Sequence, residues 1–88
     1  MARVPTPPTD ADRVTGRVLA AAREAAGMGL RRVAEATDID KSVLQRVEQG
    51  ERACRVTELL SLATVYQVAP ATLIRRITAA IEENEHRG

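Results

Sequence analysis

Two short amphipathic segments, residues 30–37 and 41–49, are separated by a break at Thr37-Asp38-Ile39. Helices joined by so short a turn must cross at a steep angle, so their apolar positions share one small core. The apolar positions of the two segments are Val33, Ala34, Leu44 and Val47. Because a larger side chain at Ala34 would push the helices apart, this pattern predicts a tight pair of short helices with a polar outer face.

Three more helices are predicted by apolar residues at helical spacing. The expected N-caps are Thr9 or Asp10, Gly29, Asp40 and Thr57 for the first four helices, and Pro70 opens the fifth. The expected inward-facing residues of the first, fourth and fifth helices are Val14, Val18, Leu19, Ala22, Ala26; Leu59, Leu60, Leu62, Ala63, Tyr66; and Leu73, Ile74, Ile77, Ala80, Ile81. Since the sequence shows no strand pattern, it predicts an all-α fold of five helices.

Composition argues against several classes of protein. A single cysteine, Cys54, permits no intramolecular disulfide, and no set of Cys and His is spaced to hold a metal. No nucleophile, base and orienting group can be assembled, so we expect neither an enzyme activity nor a cofactor. No apolar run approaches the ~20 residues of a membrane span, and the first ten residues lack a signal-peptide core. A cytoplasmic protein with no membrane partner is therefore expected.

The charge of the chain says less about its function than its cysteine content and hydropathy do. The formal net charge is only +1, so the total charge alone does not point to nucleic acid. Lys41 is the single lysine among 13 cationic side chains, and the others are arginines. Arginine suits phosphate and guanine recognition, although a GC-rich genome produces the same bias.

The register of several residues across the chain resembles the XRE/Cro family of bacterial and phage repressors. The residues that carry the resemblance are Gly16, Arg23, Gly27, Val33, Ala34, Ile39, Leu44, the run 47–50 (Val-Glu-Gln-Gly) and the helix from Leu59 to Val68. It covers about Gly16 to Ile74 and implies the five-helix bundle of the phage-repressor helix-turn-helix type. In that fold the third helix, here Lys41 to Gln49, lies in the major groove of duplex DNA.

The resemblance also assigns DNA contacts. The implied base-contacting residues are Lys41, Ser42, Gln45 and Arg46, whose side chains carry the donors and acceptors that read base edges. The implied phosphate contacts are Gly29, Arg31, Gln49, Arg52 and Arg55. The alternative interpretation of the same polar face is an ordinary solvated helix surface.

The sequence departs from the family pattern at two positions and matches a structural ion pair of the family at two others. Asp38 replaces a glycine that often occupies the turn in a left-handed conformation, which Asp tolerates better than most residues. Leu30 stands where many members carry a DNA-contacting Gln, which shifts base reading to the third helix. Arg23 and Glu48 match a structural ion pair of the family, and exposure of both side chains is the alternative.

The predicted domain organisation places a flexible Pro-rich arm at residues 1–9. Arg3 reaching a DNA groove is one interpretation of this arm, and a disordered tail is the favoured one. A DNA-binding domain follows at 10–76, and residues 77–88 hold the helix end and a charged tail.

The fifth helix suggests a partner. Its apolar residues Ile74, Ile77 and Ile81 predict a homodimer, with packing onto the first helix as the alternative. The leading hypothesis is a homodimeric, sequence-specific transcription regulator, a repressor that binds a palindromic operator. The competing hypothesis is a protein-interaction module of the same fold, such as an antitoxin or antirepressor. No small-molecule ligand is expected, and RNA binding is disfavoured by the lack of stacking aromatics.

Overall fold

The computed structural model describes residues 7–87, and all regular structure in that range is helical. The helices are α1 (Asp10–Ala25), α2 (Leu30–Thr37), α3 (Lys41–Glu48), α4 (Val56–Tyr66) and α5 (Pro70–Arg87). The predicted all-α fold of five helices is confirmed. Most of the predicted arm at 1–9, including Arg3, lies outside the described residues.

Helix α1 begins with a reciprocal pair of hydrogen bonds. The backbone N–H of Asp12 donates to the Thr9 hydroxyl at 3.1 Å, and the backbone N–H of Thr9 donates to the Asp12 carboxylate at 2.9 Å. This capping box satisfies backbone donors that have no partner inside the helix. The predicted cap at Thr9 is therefore confirmed. The prediction that Ala26 faces inward is wrong, because Ala26 is the exposed C-cap residue.

The turn between α2 and α3 takes the conformation expected for the replaced glycine. Asp38 has φ 60° and ψ 18°, in the left-handed region. The Thr37 hydroxyl supports the turn, because it donates to the carbonyl of Val33 at 2.8 Å and accepts from the N–H of Ile39 at 3.2 Å. Asp40 occupies the N-cap position of α3, but its carboxylate makes no capping hydrogen bond.

One apolar core joins all five helices. Its fully covered members, each 2% exposed or less, are Leu19, Val33, Leu44, Leu62, Ala63 and Leu73. Ala34 and Ile39 pack against it from the turn region. Helix α3 packs against α1, α2 packs against α3 and α4, and α5 packs against both α1 and α4.

Helix α4 corrects two predictions. It begins at Val56 with Arg55 as the N-cap residue, so Thr57 is already inside the helix and does not cap it. The capping acceptor is instead the Glu58 carboxylate, which accepts the backbone N–H of Arg55 at 2.9 Å. Leu60 was expected inward and is 45% exposed, because the buried face of α4 runs along Leu59 and Leu62.

Candidate nucleic-acid interface

The outer face of α3 carries four exposed polar side chains: Lys41, Ser42, Gln45 and Arg46. They recur at one-turn spacing and therefore lie along one side of a helix about 12 Å long. On the opposite side Leu44 and Val47 are 2% and 4% exposed. The structure thus brings the four predicted base-contacting residues together on a face that no other part of residues 7–87 covers.

The cations of this face have no acidic partner within the described part of the chain. Neither Lys41 nor Arg46 forms a salt bridge there, and Arg31 on α2 forms none either. Arg31 and Lys41 line one shallow depression between α2 and α3, together with Asp38 and Asp40. The two carboxylates weaken the positive potential at this end of the face without engaging its cations directly.

The second end of the face lies near the start of the described chain. Arg46 lines a cleft with Arg52, Pro7 and Pro8. Residues at the amino end of α1 therefore lie beside the last turn of α3. Sequence periodicity says nothing about how the segment before α1 is directed, so the proximity of Pro7 and Pro8 to Arg46 could not be derived from it.

The remaining predicted phosphate contacts differ in their surroundings. Gly29 is the exposed N-cap of α2, whose first-turn N–H groups have no partners inside the helix. Gln49 is the exposed C-cap of α3, and Arg55 is the exposed N-cap of α4. All three are exposed and therefore accessible to an anion from solvent.

Arg52 has a structural partner that the sequence analysis missed. Its guanidinium donates to both carboxylate oxygens of Glu58, at 2.9 and 3.1 Å, and to the carbonyl of Ala53 at 3.0 Å. Burial disfavours ionisation of Glu58, but the hydrogen bonds from Arg52 and from the Arg55 N–H outweigh it and lower the pKa of the carboxyl. Glu58 therefore fixes the shape of the loop that leads from α3 to α4.

The predicted pair of Arg23 and Glu48 is present and largely shielded from water. The Arg23 guanidinium donates to the two Glu48 oxygens at 2.8 and 3.0 Å, and the side chains are 17% and 11% exposed. A further N–H donates to the carbonyl of Met28 at 2.8 Å. The hydrogen bond to Glu48 outweighs desolvation and raises the pKa of Arg23. This pair attaches the end of α3 to α1 and to the loop before α2.

Comparison with known proteins agrees with this geometry. The family model for a helix-turn-helix domain matches residues 15–76. The chain belongs to the helix-turn-helix family. The resemblance to XRE/Cro regulators inferred from the sequence is confirmed. A comparison with curated proteins found no match to this helix-turn-helix chain.

Solved structures of regulators share the fold. The restriction-modification controller protein C.AhdI from Aeromonas hydrophila is 28% identical, with a TM-score of 0.70 over 74% of this chain and 98% of that chain. The clp gene regulator ClgR from Corynebacterium glutamicum is 20% identical, with a TM-score of 0.81 over 92% of this chain and 86% of that chain. The helix-turn-helix protein thus has the fold of DNA-binding transcription regulators.

The predicted dimer residues are only partly accessible. Ile74 is 52% exposed, whereas Ile77 and Ile81 are partly covered. Two apolar side chains that the sequence analysis did not assign to a partner surface, Val56 and Leu60, are 75% and 45% exposed on α4. The exposed apolar residues of this helix-turn-helix protein therefore include α4 as well as α5.

Other kinds of site find little support among residues 7–87. No group of His, Cys, Asp and Glu side chains there is arranged to hold a metal ion. Burial raises the pKa of the Cys54 thiol to about 11, which keeps it protonated and poorly reactive. None of the described helices is both long and apolar enough to cross a bilayer.

Proposed function

We propose that this helix-turn-helix protein is a sequence-specific transcription repressor that binds duplex DNA as a homodimer on a palindromic operator. The observation that carries the proposal is the outer face of α3, where four exposed side chains capable of reading bases stand on a helix whose other side is locked into the core. Arg46 and Lys41 can donate to guanine, and Gln45 can pair with adenine. C.AhdI, a controller protein, and ClgR, a gene regulator, share the fold.

In this proposal, phosphate groups are bound on both sides of α3. Gly29 and Arg31 contact the backbone from α2, and Gln49 and Arg55 contact it from the far end. Arg52 contributes only through N–H groups that Glu58 leaves unengaged. Such contacts fix the position of the protein on the duplex, whereas the α3 face reads its sequence.

The dimer surface in this proposal contains Ile74, Ile77 and Ile81, extended by Val56 and Leu60. Exposed branched side chains gain free energy when a second copy covers them. A two-fold arrangement would place two α3 helices on half-sites about 34 Å apart. Ile74→Asp tests this surface best, because Ile74 is already half exposed and tolerates a carboxylate without unfolding the monomer.

The DNA-reading proposal is tested by selecting duplexes from a random library with the wild-type protein. Affinity for the selected duplex is then compared with affinity for a scrambled duplex of equal length. Arg46→Ala is expected to reduce discrimination between them by about 1–3 kcal/mol. Arg17→Ala is the matched control, because it removes an equal charge from the groove between α1 and α5. Selection of no motif by the wild-type protein would overturn the proposal.

Sedimentation tests the dimer and the competing function together. Wild type is expected to sediment as a dimer, and Ile74→Asp or Ile77→Asp as a monomer with weakened affinity for the selected duplex. A protein-interaction module is favoured by the same exposed apolar residues. It would be supported by a monomeric wild type that forms a stable complex with a partner protein, with binding unaffected by Arg46→Ala.

A further inference from the structure

Gly16 on α1 lies directly against the end of α3. It is buried, and a methyl group at its position would stand 2.6 Å from the carbonyl oxygen of Glu48 and closer still to that of Val47. Nonbonded carbon and oxygen atoms rarely approach closer than about 3.3 Å, so even alanine would force the α3 backbone away by about 1 Å. The absence of a side chain at Gly16 therefore sets the distance between the two helices.

Two other contacts fasten the same end of α3. Gly50 follows the helix with φ 75°, and a methyl group there would lie 2.7 Å from the Cα of Arg13 on α1. The ion pair of Arg23 with Glu48 is the other contact. The opposite end of α3 is held less directly, since the Asp40 carboxylate makes no capping hydrogen bond. The end of α3 that follows Gln45 and Arg46 is thus positioned by its contacts with α1.

We infer that Gly16 is a positioning residue for DNA recognition: by allowing backbone contact between α1 and α3, it places Gln45 and Arg46 where they meet base edges. This inference rests on the proposed DNA-reading function. Gln45 and Arg46 immediately precede Val47, whose carbonyl Gly16 contacts. A displacement at Val47 is therefore transmitted to them within a single helical turn.

The two kinds of DNA contact respond differently to such a displacement. A bidentate contact to a base edge requires near-ideal hydrogen-bond distance and angle, and binding sites tolerate errors of about 0.5 Å. Contacts between long arginine side chains and phosphates adapt more readily and carry no sequence information. Moving α3 away from α1 should therefore lower affinity for the selected duplex much more than affinity for scrambled DNA.

The test compares Gly16→Ala with Val14→Ala. Val14 is also buried on α1, but it lines the groove towards α5 and lies outside the core cluster that holds Leu44 and Val47 of α3. Its truncation is therefore expected to destabilise the protein without displacing α3. Affinities for the selected and the scrambled duplex are measured at a temperature where both variants are folded. An unfolded fraction lowers the two affinities by the same factor, so their ratio reports positioning and not stability.

Gly16→Ala is expected to lower the ratio of the two affinities about tenfold, while Val14→Ala leaves it unchanged. A new selection with Gly16→Ala should yield a weaker or altered motif. If the wild type selects a motif and Gly16→Ala keeps the wild-type ratio, the inference is overturned and the proposed function stands. If the wild type selects no motif, the proposed function itself fails.

Should Gly16→Ala be unfolded in buffer, the same ratio is measured for all proteins in trimethylamine N-oxide, which favours the compact state. Gly50→Ala disturbs the second contact with α1 and is expected to lower the ratio in the same way. Failure of both variants to fold even with the osmolyte would make these glycines determinants of stability alone and overturn the inference.

Discussion

Two arginine–glutamate pairs brace the proposed DNA-reading helix and the loop after it, over different ranges of the chain. Arg23 and Glu48 are separated by 25 residues and join α1 to the end of α3. Arg52 and Glu58 are separated by six residues and join the loop to the first turns of α4. Both pairs make two hydrogen bonds between guanidinium and carboxylate.

The difference in range determines what each pair does. The long-range pair forms only when α1 and α3 are packed together, so its free energy depends on the whole fold. It is also the better shielded, with side-chain exposures of 17% and 11% against 22% and 16% for the local pair. The long-range pair therefore orients α3, whereas the local pair shapes one loop. Removing the long-range pair should therefore lower the free energy of unfolding more than removing the local pair.

The largest effect is expected for Arg23→Ala, which leaves the Glu48 carboxylate and the Met28 carbonyl without this donor. Stranding a largely buried charge destabilises a protein by about 3 kcal/mol. For a domain of this size that corresponds to a drop of about 15 °C in Tm, measured by thermal unfolding. The exposed Arg17→Ala is the control, with an expected change below about 0.5 kcal/mol.

A double-mutant cycle with Glu48→Ala isolates the interaction energy of the pair. A coupling free energy below about 0.5 kcal/mol would contradict the orienting role, because exposed pairs show values of that size.

Arg52→Ala is expected to lower the free energy of unfolding by a smaller amount, about 1.5 kcal/mol. Glu58 is less buried than Glu48 and keeps its hydrogen bond from the Arg55 N–H when Arg52 is removed. Urea unfolding measures the loss, and an unchanged m-value would show that the unfolded state is unaffected. If Arg52→Ala destabilised the protein as much as Arg23→Ala, then sequence separation and burial would not determine how much each pair contributes to stability.

The two pairs also differ in how well sequence could predict them. Arg23 and Glu48 were identified only through the register of a known family, since nothing in their spacing brings them together. Arg52 and Glu58 were missed, because neither a helix nor a strand brings residues six apart into contact. Their meeting depends on the path of the loop. The sequence signal that was available, a Glu three residues after Arg55, was not used because the cap of α4 was placed at Thr57.

Helical periodicity identified the apolar face of each helix, but it did not predict how much of that face the neighbouring helices bury. The buried face of α4 was identified at Leu59 and Leu62, but Leu60 and Ile74 lie at the edges of their stripes and remain exposed. How far a neighbouring helix covers such an edge depends on packing angles. The polar face of α3 was predicted as a unit because Leu44 and Val47 fix its rotation, whereas the contact between Gly16 and α3 required the three-dimensional arrangement.

Low pH should remove the stabilisation that the local pair, Arg52 and Glu58, gives to the folded protein. The folded-state pKa of Glu58 is lowered, so its stabilisation is fully present above the unfolded pKa of about 4.3 and is lost as pH falls through the folded value. The stability difference between wild type and Glu58→Gln is therefore expected at pH 7 and should vanish in strong acid. A difference that persisted at the lowest pH would assign the effect to packing and not to ionisation.

The smallest expected effect concerns salt, and it compares a paired arginine with an unpaired one. Each phosphate contact contributes about one unit to the slope of log affinity against log salt concentration. Arg55→Ala should reduce the slope on scrambled duplex by about that amount, because its guanidinium forms no salt bridge within residues 7–87. Arg52→Ala should reduce it by less than half as much, since Glu58 already neutralises Arg52. Equal reductions would mean that Arg52 binds phosphate despite Glu58, and the local pair would then belong to the DNA surface as well as to the loop.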